Sequence, residues 1–291
     1  VKQHLADILA RNDGLFNHPV SRGEEPTVDS LKPRLYSTAL EDGIDRAGAL
    51  NLWSHIVSDF TPKDITYETD RLVIISNIAR LFQGRLDWEY VAGQWTDSVY
   101  NLLWYPENSS KCHRACYTVP SWSWASVEGS RILFDNETAM DLSCTAEFSS
   151  REEKDPVWLP ATGGTLKLTA TLATKVAFDV RDGKNFVLTR NGVSVDFTPD
   201  MLSRAGDMEI KPGSTLICVL VSMTFRSSIL GLVLQPCQKP DAYRRVSRLE
   251  CFKCYGNVKE GDAEDLFGHW FPEVTDMTAI DHMPHKTFIV G

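Results

Sequence analysis

The hydrophobic pattern of this chain changes period near Ser121, and that change limits what it can fold into. Before it, apolar residues recur at helical spacing. Leu52, Ile56 and Phe60 lie on one face of Ala49 to Phe60, and Leu72, Ile75, Ala79 and Phe82 share a face of the next segment. Thr69 is placed to cap that second helix and Gly84 to stop it. A shorter stripe of Leu5, Ile8 and Leu9 precedes both, and the stretch from Gly14 to Gly48, with four glycines and three prolines, reads as a long surface loop.

After Ser121 the period becomes two. Leu166, Leu168, Ala170 and Leu172 alternate with Lys167, Thr169 and Thr171. Asp182-Gly183 and Asn191-Gly192 sit between apolar runs and favour tight hairpin turns. Thr215 to Thr224 and Ile229 to Leu234 are unbroken apolar runs suited to strands buried on both faces, and Tyr243 to Phe252 and Lys286 to Val290 add two more. About eight to ten short strands with few helices predict a sandwich or a barrel. The expected fold class is α+β, with an N-terminal helical part packed on an antiparallel β-sandwich or barrel. The expected organisation is a helical subdomain over 1–120 and an antiparallel β subdomain over 121–291, or one integrated unit of both.

Composition narrows the partners. The net charge of -9 and pI near 5.3 argue against nucleic acid or an anionic membrane as the main partner. The chain holds no run of about 18 apolar residues, so no membrane span is expected. Val1 to Ala10 is amphipathic and unlike a signal peptide, and the missing initiator Met points to a fragment or a processed chain. Seven cysteines without framework spacing predict reduced thiols and a cytoplasmic location.

The densest chemistry is aromatic. Trp88, Trp95, Trp104, Trp122 and Trp124 cluster in the chain with Tyr90, Tyr100, Tyr105 and Tyr117. Trp122 and Trp124 are two residues apart, so on a strand both rings would point to one face, with Ser121, Ser123, Ala125 and Val127 on the other. Such a wall serves either the protein's own core or an apolar ligand such as a terpenoid or polyketide. The expected ligand-lining set is Trp95, Trp104, Tyr117, Trp122 and Trp124. Of the pair Arg244-Arg245, one side chain faces away from the other. Arg244 is the expected anchor for a ligand carboxylate, and a salt bridge at the core edge is the other reading.

No catalytic residue is assigned. Ser121, Ser123 and Ser126 carry no sign of activation, and His113 is an acid or base by type only. Neither the Cys112/Cys116 and Cys251/Cys254 pairs nor the run Asp281 to His285 predicts a metal site. With no phosphate loop, dinucleotide fingerprint or nucleophile elbow, no cofactor is expected.

The segment Pro120 to Gly129, PSWSWASVEG, resembles the "PSWSWASVDG" block of fungal heterokaryon-incompatibility (HET) domain proteins. Further blocks follow the same order. Leu52 to Phe60 is similar to the family's "W…IVEDYS" helix, Asp70 to Ala79 to "DKLPALSGIA", and Tyr90 to Trp95 with Leu102 to Trp104 to "YLAGLW…LLW". Gly231 to Pro236 and Tyr243 to Val246 resemble the tail's "GLVL…YRRVG". The likeness covers roughly positions 50–130 well and 210–250 loosely. The family's TIR-like half, marked by a "YVALSYVWG"-type strand and an "LWIDxxCIxQ" segment, has no counterpart here, so its NAD-cleaving activity is not carried over.

The resemblance implies a fungal source and the region that follows the HET core. The expected function is a regulatory module that binds an apolar small molecule or a protein partner. The alternative is a stand-alone, cofactor-independent enzyme, an isomerase or pericyclic cyclase of an apolar fungal metabolite, that uses the aromatic pocket to hold its substrate in a reactive conformer.

Overall fold

The protein's structure, a computed structural model, describes residues 46–63, 65, 70–83, 88–96, 98–115, 119–134, 140–150, 164–181, 185–202, 210–223, 229–251, 269–272, 274, 280 and 283–291. It is mostly β with few helices, built around one large mixed sheet. The two helical stripes of the sequence form α1 (Arg46–Phe60) and α2 (Asp70–Gln83). The proposed cap Thr69, the stop Gly84 and the stripe of Leu5, Ile8 and Leu9 lie outside the described residues.

The helical reading up to residue 120 needs correction. The described residues after α2 form short strand pairs and 3-10 turns instead. Strand β1 (Tyr90–Val91) pairs with β2 (Gln94–Trp95), β3 (Trp104–Pro106) with β6 (Ile132–Phe134), and β4 (His113–Arg114) with β5 (Val127–Glu128). The physical reason is local. Ala92, Gly93 and Gly129 have positive φ, and Pro106 and Pro120 cannot donate to a helical ladder, so no helix can run through this aromatic-rich stretch.

The large sheet takes its strands from β7 (Met140–Asp141), β8 (Cys144–Ser150), β9 (Gly164–Ala170), β10 (Ala173–Arg181), β11 (Asn185–Arg190), β12 (Val193–Phe197), β13 (Thr215–Met223), β14 (Ile229–Pro236), β15 (Ala242–Cys251) and β16 (Lys286–Val290). Their order is β12-β11-β10-β13-β14-β15-β16-β9-β8. The expected purely antiparallel arrangement is corrected at one place: β16 runs parallel to β15 through Ala242–Ile289 and Tyr243–Val290. No hairpin can join parallel neighbours, and residues 252–285 intervene between these two. The path also returns on itself. Ser222 and Met223 of β13 pair with Asp141 and Met140 of β7, whose chain runs on into β8, so β7 closes the path of β13, β14, β15, β16, β9 and β8 into a ring.

Alternation decides what each strand buries. On β9 the buried positions are Gly164, Leu166, Leu168 and Ala170, with Thr165 and Lys167 exposed. Strand β13 is buried on both sides. Ile217, Val219 and Val221 join the cluster inside the ring with Leu166, Leu168, Leu232 and Val290, while Leu216, Cys218 and Leu220 join a second cluster with Val176, Phe178, Val246 and Phe271. A third cluster holds the apolar faces of both helices together with Trp95, Trp104, Trp124 and Ile132. At Asn191-Gly192 the two turn residues have φ of 49° and 82°, and Arg190 pairs with Val193, so the predicted two-residue hairpin turn forms there.

Gly129 and Gly192 share a positive φ but differ in surroundings. A Cβ at Gly129 would overlap the Lys111 carbonyl, whereas one at Gly192 meets nothing. Gly192→Ala is therefore expected to lose only the left-handed backbone preference, about 1–2 kcal/mol. Gly129→Ala should lose at least about twice that, since backbone must also move. Urea denaturation of the two variants measures the difference, and equal losses would refute the close approach at Gly129.

Candidate functional site

Residues 121–126 form turns rather than a strand, with strand only at β5 beyond them, and this redirects the two tryptophans. Ser123 caps a 3-10 turn over Trp124–Ser126, its hydroxyl accepting from the Ala125 N–H at 3.1 Å and donating to the Ala92 carbonyl at 2.6 Å. The expectation that Trp122 and Trp124 share one face fails here, because the turn breaks the alternation. Trp122 enters the cluster inside the ring of strands, edge-on to Phe148 at 5.3 Å, while Trp124 enters the helical cluster and donates its indole N–H to the Gly93 carbonyl at 2.7 Å.

Trp95, Trp104, Trp122 and Trp124 each have 0% of their surface exposed. A ring that no water-sized sphere can touch borders no space for a ligand, so these four positions are solid packing in this conformation. Trp95 packs with Trp53 and Tyr90 at centroid separations of 5.4 and 5.0 Å, and Trp53 meets Phe82 edge-on at 5.8 Å. Edge-to-face contacts place the positive rim of one ring on the negative face of the next. Burial raises the Tyr90 phenol far above its usual pKa, so it stays protonated. Tyr117, the fifth expected ligand contact, lies outside the described residues.

The two arginines diverge as their parity requires, but the buried one is Arg245. Arg244 is half-buried and donates through Nε to Gln235 Oε1 at 3.1 Å. Arg245 is 4% exposed, lies 3.5 Å from Asp200 Oδ1, and stacks with its guanidinium carbon 3.4 Å from the Trp104 ring centroid. It also donates to the Trp104 carbonyl. Its backbone N–H donates to Ser121 Oγ at 3.0 Å, and that hydroxyl in turn donates to the Gly291 carbonyl. Trp104 closes the circuit through its indole N–H, which donates to the Trp122 carbonyl at 2.9 Å. A β-bulge explains why Arg248 joins Arg245 on this side: Val233 pairs with Ser247 and Leu234 with Arg245, which leaves Val246 extra and shifts the alternation. Arg248 accordingly lies over Tyr105 at 3.8 Å, and burial lowers its pKa.

The remaining polar candidates have structural partners. Ser126 donates to the Ser121 carbonyl at 3.4 Å. His113 is at the surface, 3.6 Å from Glu128, whose other oxygen receives Arg71 at 3.0 Å and so ties α2 to β5. The Cys112 thiol donates to the Asn108 carbonyl at 3.3 Å, and its pKa is pushed up to about 11, by burial first and the Asp200 charge second. Cys116 and Cys254 lie outside the described residues. Among the described residues no three His, Cys, Asp or Glu side chains gather as a metal site would require, and no helix is long and apolar enough to cross a membrane.

Open space lies elsewhere. A half-open cavity of about 400 Å³ is lined by Ala173, Thr174 and Lys175 of β10, Arg190 of β11, Ile217 of β13, Tyr243 of β15, and Lys286 and Phe288 of β16. Nothing in the sequence reading marked it, because its residues are scattered from 173 to 288 and only the strand order assembles them. No protein-family model, curated protein or solved structure matches this chain.

Two measurements test this account. Arg245→Met or Asp200→Asn alone should destabilise by about 3–5 kcal/mol, since each strands a buried group, and the double variant should lose less than the sum. Additive losses in denaturant titration would show that the two do not interact. In the native protein, iodoacetamide with peptide mass mapping should modify the exposed Cys237 while sparing the buried Cys112, Cys144 and Cys218 until the chain is unfolded.

Proposed function

We propose that the chain is a binding and regulatory module on a HET-like scaffold, the region that follows the HET core, and that it recognises a small molecule or protein partner rather than converting a substrate. The blocks that resemble the family support this reading through their roles in the fold. Trp104 and the Trp122–Trp124 turn sit in the Arg245 circuit, and Gly231 approaches the Val219 carbonyl too closely for any side chain. These are positions that keep a scaffold together. We read the ring of strands as a small barrel against which the aromatic turn and the helices pack.

One observation carries the choice between binding and catalysis. A cofactor-independent cyclase would hold its substrate against the aromatic wall, and Trp95, Trp104, Trp122 and Trp124 expose no surface to hold it with. Space suited to a ligand lies instead between β10, β13, β15 and β16.

Native mass spectrometry of the purified chain, before and after incubation with a fungal metabolite extract, tests the proposal. A retained mass with the extract otherwise unchanged supports binding. Turnover of an extract component would overturn the reading in favour of an enzyme. Trp124→Phe adds a control: it removes the bond to Gly93 and should lower stability by about 1–2 kcal/mol while leaving the retained mass in place.

A further inference from the structure

We infer that the cavity between β10, β13, β15 and β16 is a binding site for a small organic anion, a carboxylate or phosphate carried on a flat apolar body. The inference deepens the binding reading above and rests on it. Three of the eight lining side chains are cationic, Lys175, Arg190 and Lys286, and no carboxylate lines the cavity among the described residues. This is a local reversal of sign on a chain whose net charge is -9. Charge scattered by solubility alone would mix both signs around an opening of this size.

The geometry separates head from body. Ala173, Ile217 and Phe288 are at most 7% exposed and belong to the cluster inside the ring, so the cavity floor is the apolar interior itself. Tyr243 meets Phe288 edge-on at 5.3 Å and 80°, which forms a stiff aromatic corner against which a planar group can lie. Lys175 and Lys286 are exposed at the rim. Lys286 is drawn across the opening, its Nζ donating to the Ala173 carbonyl at 2.7 Å, which leaves two more N–H donors on the ammonium. Arg190 adds a third cation to the lining, its guanidinium 5.9 Å from the Phe271 ring. A guanidinium and two ammonium groups around one opening favour an anionic head there. The volume, about 400 Å³, falls within the range of sites for small molecules.

The test uses naphthalene-2-carboxylate and 2-naphthyl phosphate as anionic probes, 2-naphthalenemethanol as their neutral counterpart, and inorganic phosphate as a head without a body, all by isothermal titration calorimetry on the full chain. At least one anionic probe should bind, at least tenfold more tightly than the neutral probe and than inorganic phosphate, and the better of the two identifies the head. Binding should weaken with added salt. Lys175→Gln and Arg190→Gln should each weaken it severalfold and the double variant at least tenfold, with the melting temperature near that of the wild type. Tyr243→Leu should weaken the naphthyl probes through loss of the aromatic corner.

Equal affinity for neutral and anionic probes would overturn the proposal, as would a double variant that binds like the wild type. The outcomes also separate the two levels of the argument. A molecule retained from the extract but insensitive to Lys175→Gln/Arg190→Gln, with no anionic probe bound, leaves the binding module standing and removes this site. No retained molecule and no bound probe removes both.

Discussion

Arg245 is the contact on which the rest of this structure depends. A guanidinium 4% exposed needs a counter-charge and acceptors to offset its burial, and the contacts it makes bring together segments far apart in the chain. Asp200 approaches from the loop after β12, and Trp104 supplies both a carbonyl and a ring face from β3. The same residue's backbone reaches Ser121, and through Ser121 the chain end at Gly291. The aromatic turn is thus fixed to the sheet by polar bonds at its base and by apolar rings above. A hydrophobic cluster alone would leave the rotation of that turn poorly determined; directional bonds remove the freedom.

The bulge at Val246 makes this possible. In a regular strand, residues three apart face opposite sides. With one extra residue in β15, Arg245 and Arg248 both stack on rings of β3, while Val246 and Leu249 both enter the second hydrophobic cluster. One strand thereby presents two cations to the aromatic layer and two aliphatic residues to the opposite core.

This also explains which parts of the fold were legible from sequence. The two helices, the Asn191-Gly192 turn and the runs at 215–224 and 229–234 were legible because each depends on residues within one local window. Residues 88–120 do not follow the helical reading because their short strands are stabilised by non-local pairs, such as Trp104 with Phe134. Trp122 and Trp124 carried the right emphasis and the wrong geometry: their spacing implies a shared face only on a strand, and Ser123 caps a turn instead. The Arg244-Arg245 pair shows the limit of parity. Alternation says that one is buried, but a bulge that sequence does not announce helps decide which. The cationic cavity left no local trace at all, since Lys175, Arg190 and Lys286 meet only through the order of strands.

The one parallel pairing, which departs from the expected antiparallel sheet, also accounts for where that cavity lies. Strand β16 meets β15 only through its last residues, Ile289 and Val290, opposite Ala242 and Tyr243. Extending that register backwards would set 286–288 against 239–241, but those residues are spent on the turn between β14 and β15, where Asp241 takes a positive φ. The first half of β16 is therefore paired with β9 on one side and has no β15 partner on the other. Beside it Lys286 reaches the start of β10, its ammonium donating to the Ala173 carbonyl. A hairpin neighbour would have filled this space with backbone. A parallel strand that begins before its neighbour leaves an opening onto the apolar interior, and the chain edges that opening with lysine and arginine.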